Sequence, residues 1–194
     1  MVEELGPPLT SLTNTAIELA KLLDAQEGKL FSRVETKILT NEEAVERNVR
    51  IQMNEFLDQA SDDDLIVLFL AGHGVVDDEQ ELFFMTHEGD LTKPYTGMSV
   101  NRFRDLLENR PLNQNALLLL DICHSGAGDG RVVAEDAVQN LTKGTGAVVF
   151  ASSSGSELSF EDESFGGGHG AFTAALLEGL RGAGRQPRRQ SGRI

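Results

Sequence analysis

The chain of 194 residues contains only one cysteine, so it cannot form an internal disulfide. This is typical of a protein in a reducing compartment. Long apolar runs are also missing: the longest are about six residues, whereas a membrane-spanning helix needs about 20. No basic and then apolar segment opens the chain as a signal peptide would. We therefore expect a cytoplasmic protein with no membrane partner.

Basic residues are scarce, with 17 Lys and Arg against 31 Asp and Glu and a net charge of −14. Four of the arginines lie in residues 185–194, which contain no acid, so residues 1–184 carry a net charge of −18. Such an acidic body repels phosphate, which argues against a nucleic-acid partner. It would attract cationic peptides or divalent metal, although the same charges also serve as a solubilising surface. We expect the basic tail, residues 185–194, to be disordered.

Apolar runs at residues 65–70, 116–120 and 147–151 are continuous rather than alternating, which predicts strands buried on both faces of a sheet. Helical patterns lie between them, which is typical of an α/β fold whose mostly parallel sheet is covered by helices. We also predict helices at 14–26, 133–141 and 171–180, one helix that follows a Thr40/Glu43 capping box, and one that begins at Ser99 or Asn101. Two further strands are predicted at 34–39 and 82–85.

Two polar segments directly follow the first two of these buried strands. They are Phe69-Leu70-Ala71-Gly72-His73-Gly74 and Leu120-Asp121-Ile122-Cys123-His124-Ser125-Gly126. They place His73 and Cys123 just past the strand ends, where open α/β sheets carry their chemistry. Taken alone, a cysteine after an apolar strand is more often an inert core thiol. A zinc site from His73, Cys123 and His124 lacks the paired ligand spacing of zinc motifs.

Together the two segments resemble the catalytic blocks of the caspase-like cysteine peptidases, whose His-to-Cys spacing is close to the 50 residues found here. They are most similar to the metacaspases and their bacterial relatives, the orthocaspases. Residues 147–153 resemble the strand after the cysteine block, and residues 168–173 resemble the start of the last helix. The resemblance implies a caspase-like three-layer α/β/α sandwich, with a single peptidase domain over residues 1–184.

The resemblance also implies roles for individual residues. Cys123 would be the nucleophile and His73 the group that moves protons, while the N–H groups of Gly74 and Cys123 would form the oxyanion hole. Asp121, two residues before the cysteine, would contact a basic side chain, because carboxylate and guanidinium pair well. This favours cleavage of protein or peptide substrates after Arg or Lys. The alternative role for Asp121 is a cap at the end of the strand.

Three further expectations concern processing, metal and cofactors. Arg131 and Lys143 follow the cysteine block, where family members are often cut, so they are candidates for self-processing. The implied chemistry requires no cofactor, and we assign no metal ligand. The acidic runs 62–64 and 77–79 could bind calcium as an activator, although acids at such positions also solvate turns.

Both ends depart from the family pattern. The family begins with a core strand before its first helix and continues past the last matched helix, whereas residues 1–9 and 181–187 resemble neither element. We therefore expect a domain trimmed at both ends. The pair Asn14-Thr15 stands where the family commonly has Asn-Asp, so one carboxylate of the substrate pocket is missing. Glu157, Glu161 or Asp162 could compensate for it.

These departures favour a second hypothesis, in which the chain is an inactive caspase-fold interaction or signalling module of a larger protein. The presence of both His73 and Cys123 favours the peptidase instead. A general α/β hydrolase is excluded, because the sequence has no Gly-x-Ser-x-Gly segment. The sequence leaves the oligomeric state open.

Overall fold

The computed structural model describes residues 9–108, 115–124, 141, 147–151 and 171–181, and at residues 9–12, 123, 124 and 171 it describes the backbone only. Two short 3-10 helices lie at Asn41–Glu43 and Pro94–Thr96. Within these ranges the larger elements are α1 (Leu9–Asp24), α2 (Glu46–Leu57), β1 (Ile66–Val76), β2 (Leu82–Phe84), β3 (Met98–Ser99), α3 (Val100–Glu108), β4 (Ala116–His124), β5 (Val148–Ala151) and α4 (Ala171–Leu180).

The strands form one mixed sheet in the order β3-β2-β1-β4-β5. Strand β1 pairs with β4 in parallel, and β4 pairs with β5 in parallel, so the three continuous apolar runs lie side by side at the centre and one edge. The β1–β2 and β2–β3 pairs are antiparallel. This is the mostly parallel core that the sequence predicts.

Alternate residues of β4 contact helices on opposite faces of the sheet. Leu118 and Leu120 belong to a cluster that includes Phe103 and Leu107 of α3. Leu119, which lies between them, packs on the other face with α1 and α4 in a second cluster. Each of these leucines is nearly or fully buried, which contributes roughly 1.5–3 kcal/mol apiece. The sheet is therefore covered on both faces, as its lack of apolar–polar alternation indicates.

The strand predicted at 34–39 is absent, because this segment has no neighbouring strand among the described residues. This segment instead bonds to the end of α1 and to the turn after it: the Thr36 hydroxyl donates to Asp24, and the Val34 N–H donates to Glu27. Most of its side chains are exposed. A β pattern forms a strand only where it finds a ladder partner.

Two helix starts also differ from prediction. The Thr40/Glu43 capping box is wrong: Thr40 precedes a 3-10 helix and makes no side-chain cap bond. The helix α2 begins later, at Glu46, and its first turn is capped from elsewhere in the chain, since the Glu46 N–H donates to Glu88 Oε1 at 3.0 Å. This carboxylate at a helix N-terminus also suits the helix dipole. Helix α1 begins at Leu9 rather than 14, directly after two prolines in the sequence, which favour the first turn of a helix.

Other predicted elements agree with the structure. Ser99 does open α3, since its hydroxyl oxygen accepts the Arg102 N–H at 3.2 Å, and the strand at 82–85 and the helix at 171–180 are present. The predicted helix at 133–141 lies outside the described residues apart from Leu141, which is helical and buried.

Replacing Gly97 with alanine is expected to destabilise the fold by about 1–3 kcal/mol, because a side chain there meets packed atoms. A Cβ at Gly97 would lie 2.6 Å from the Phe84 carbonyl oxygen and 2.9 Å from the Met85 sulfur. Urea unfolding measures the loss. The matched control is Gly179→Ala in α4, where no atom lies within 4 Å of the new Cβ and the helix should gain about 0.5–1 kcal/mol. Equal stability of the two variants would contradict the packing at Gly97.

Candidate active site

The parallel β1–β4 ladder places the two candidate catalytic residues side by side. The register runs without interruption from Ile66 opposite Ala116 to Gly74 opposite His124, and it sets His73 opposite Cys123. Neighbouring strands lie about 4.8 Å apart, so the two backbones are adjacent. Sequence alone predicts both residues at the same edge of the sheet. Their direct pairing follows from the register.

Both residues lie within the strands rather than just past their ends, which corrects the predicted strand bounds. Strand β1 continues to Val76 and β4 continues to His124. The extension of β1 has a physical cause on its other side, where β2 pairs with it and the Met85 N–H donates to the His73 carbonyl at 2.9 Å. Because β1 has a partner strand on each side, it stays extended beyond the end of its apolar run.

His73 is partly exposed and follows a glycine in an unusual backbone conformation. Its position in the alternation of β1 puts it on the same face of the sheet as Val67 and Phe69, which pack towards α1 and α4. Gly72 has φ +158°, a region that side chains rarely adopt. Glycine at this position therefore lets the strand continue into His73.

The proposed oxyanion donors both face the gap between β1 and β4. The Ile66 N–H donates to the Asn115 carbonyl at 2.9 Å, and the register stays constant to Gly74. The alternation of a parallel ladder then directs the N–H of Gly74 towards β4 and the N–H of Cys123 towards β1. An oxyanion held by these two groups has to replace ladder hydrogen bonds at this end of the two strands.

Asp121 is buried, with 5% of its surface exposed, and its Oδ2 accepts a hydrogen bond from the Thr173 hydroxyl of α4. Thr173 itself is completely buried. A buried carboxylate is costly without hydrogen bonds, so this contact stabilises Asp121 within β4. It also connects α4 to the strand that carries Cys123.

Thr173 is a site residue that the sequence did not reveal. Residues 168–173 resemble the start of a helix, but a threonine in a first turn is common and signals no particular partner. Thr15 is another buried hydroxyl, with 1% exposure, on α1. It lies one turn before Leu19 on the same face of that helix. A buried hydroxyl therefore occupies the position where the family resemblance leads one to expect an acid.

One carboxylate in each acidic run considered for calcium, Asp77 and Asp64, caps a turn. The Asp77 carboxylate accepts the N–H groups of Glu79 and Glu81 at 3.0 and 2.8 Å. The Asp64 carboxylate accepts the N–H and the hydroxyl of Ser61, and these hydrogen bonds lower the pKa of Asp64. Within the described ranges, no three His, Cys, Asp or Glu side chains converge as a metal site requires.

Several residues singled out from the sequence lie outside the described part of the chain: Arg131, Lys143, Glu157, Glu161 and Asp162. Of the other histidines, His87 is exposed on a loop and His124 pairs with Gly74 through its backbone. No helix in the described ranges combines the length and apolar character that a membrane span needs.

The described residues thus form a mixed α/β sheet with a histidine and a cysteine at paired positions on two adjacent parallel strands. A model of the peptidase C14 caspase domain matches residues 6–191. The chain therefore belongs to the caspase domain family of cysteine peptidases, and the expected α/β/α sandwich is confirmed. A search of the curated proteins found no match.

Proposed function

We propose that this chain is a cysteine endopeptidase in which His73 and Cys123 form the catalytic dyad. The observation that carries the proposal is the paired register of these two residues on adjacent parallel strands. His73 accepts the thiol proton, and the sulfur attacks the peptide carbonyl carbon. The C–N bond then breaks, and the imidazolium returns the proton to the leaving amine. Water hydrolyses the thioester with His73 as the base and frees the thiol.

The proposed specificity is cleavage after Arg or Lys. Asp121 lies two residues before Cys123 on the same strand and on the same face of the sheet, which is the placement of the acid in the metacaspase branch. A carboxylate with little access to water interacts more strongly with a cation than an exposed one does. The strongly acidic body would also steer cationic peptides to the site.

The test is hydrolysis of peptide reporters that carry Arg, Lys, Asp or Gln before the leaving group. Turnover of the Arg and Lys reporters, and not of the other two, is expected. Running the panel with calcium and with a chelator tests the proposed activation. Intact mass measured after long incubation tests self-processing at Arg131 or Lys143. A folded wild type that turns over no reporter in either condition would contradict the proposal.

The second candidate is a caspase-fold interaction module without activity. Two observations favour it: the ladder continues past His73 and Cys123, and Thr15 stands where an acid is expected. The reporter panel separates the two functions, since the module predicts no turnover that depends on Cys123.

A further inference from the structure

Two layers of side chains stack between β4 and α4. The lower layer is apolar, with Leu119 of β4 against Leu177 of α4. The next layer is polar, with Asp121 bonded to Thr173. Two residues along a strand advance about 6.6 Å, and the four residues of helix from Thr173 to Leu177 advance about 6 Å. The two spacings match, so the two contacts are consecutive steps of one interface. Residue numbers rise along β4 and fall along α4 between these contacts, so the helix runs antiparallel to the strand.

This interface controls the orientation of the Asp121 carboxylate. Thr173 is fully buried and sits in the first turn of a helix whose next turn is packed in the core. Its hydroxyl therefore has a defined position, and the hydrogen bond to Oδ2 restricts rotation of the carboxylate about its Cβ–Cγ bond. A planar guanidinium binds a carboxylate through two parallel hydrogen bonds and needs this plane to be correct. A lysine ammonium is closer to a point charge and depends on the plane less.

We propose that Thr173 is a positioning residue that sets the preference of this peptidase for arginine over lysine. The inference rests on the proposed cleavage after basic residues and on Asp121 as their ligand. Thr173 acts through Asp121 and does not touch the reacting atoms. It makes recognition of the basic side chain depend on the docking of α4 against the sheet.

Thr173→Val removes the hydroxyl with little change of shape, and Thr173→Ser keeps it. For Thr173→Val, KM for the arginine reporter is expected to rise about tenfold. A misaligned Asp121 carboxylate would lose one of its two hydrogen bonds to the guanidinium, and one hydrogen bond to a charged group has an effect of this size. The lysine reporter should change less, so the Arg/Lys ratio of kcat/KM falls while kcat stays close to wild type. Thr173→Ser should restore the ratio.

Leu177→Ala is the comparison variant, because it loosens the same helix one turn further on but keeps the Thr173–Asp121 hydrogen bond. The inference predicts that it lowers the Arg/Lys ratio less than Thr173→Val does. Urea unfolding of both variants shows how far each loosens the docking of α4. If Thr173 has only a structural role, Leu177→Ala and Thr173→Val change the reporter kinetics alike and leave the Arg/Lys ratio unchanged. That result would overturn the inference while the proposed peptidase function stands.

A binding measurement tests the inference without turnover. In the Cys123→Ala protein, calorimetry compares benzamidine, whose planar amidinium resembles an arginine side chain, with benzylamine, whose ammonium resembles lysine. Thr173→Val is expected to weaken benzamidine about tenfold and benzylamine less. This result supports the inference even if the wild type cleaves no reporter, in which case only the proposed function fails. Equal weakening of both ligands, or binding of neither by the parent protein, overturns it.

Discussion

Replacing Cys123 with alanine is expected to lower kcat/KM for the best peptide reporter at least about a thousandfold, because no other residue supplies a thiol. A loss of this size corresponds to about 4 kcal/mol of transition-state stabilisation. His73→Ala should produce a loss of similar order, since His73 is the residue paired with Cys123 on the neighbouring strand. Steady-state kinetics on both variants, with circular dichroism to show that they fold, makes the measurement.

The double variant gives the sharper result. Two residues that act as one catalytic unit have grossly non-additive effects, so His73→Ala/Cys123→Ala should be no slower than the worse single variant. His87→Ala is the matched control, because His87 is an exposed loop histidine whose N–H donates to the Ala44 carbonyl and which has no place in the β1–β4 register, and it should retain wild-type turnover. If Cys123→Ala keeps its activity, Cys123 is not the nucleophile and the proposed dyad is wrong.

The core of the fold could be predicted from the sequence because its signals are local and strong. Continuous apolar runs such as 116–120 indicate strands buried on both faces, and the structure places three of them side by side. The strand prediction for 34–39 was wrong because strand formation depends on a partner elsewhere in the chain. The prediction for the start of α2 was wrong for a related reason, since its cap comes from Glu88, which lies 42 residues away in sequence.

The candidate site likewise has one part that local sequence predicts and one part that depends on distant residues. The identities of His73 and Cys123 could be read from the residues around them, but their pairing depends on a register that no local pattern determines. The contact of Thr173 with Asp121 could not be predicted, because this hydrogen bond joins residues 52 positions apart in sequence. The direction of the Gly74 and Cys123 N–H groups could not be predicted either, because it depends on the ladder between β1 and β4. That ladder continues beyond the apolar runs from which the strands were predicted.

The polar layer over the α4 interface has a consequence for how the site is assembled. Asp121 is bonded to Thr173 on a helix that begins at Ala171. The carboxylate is therefore in place only when α4 is docked, so folding of this interface and formation of the proposed substrate pocket are one event. Buried polar groups need such partners, which is why the helix brings a hydroxyl to this point and a leucine one turn later.

Replacing Asp121 with asparagine is expected to lower kcat/KM for Arg and Lys reporters about a hundredfold, because a site built for one polar group loses its partner. The substitution removes the charge and keeps the shape. The asparagine side-chain oxygen can still accept the Thr173 hydroxyl, so the bond that holds α4 is retained. The midpoint of urea unfolding should change little, whereas the preference for basic reporters over a Gln reporter should largely disappear.

Asp63→Asn is the control for the loss of one negative charge, since Asp63 is exposed on the acidic run before β1. It tests whether general attraction of cationic peptides by the acidic body accounts for the effect, and it should change turnover less than about twofold at physiological salt. If Asp121→Asn leaves the Arg and Lys reporters unaffected but destabilises the protein, Asp121 only anchors α4 at the end of the strand. The basic specificity would then need another ligand, and the proposed role of Thr173 would fail with it.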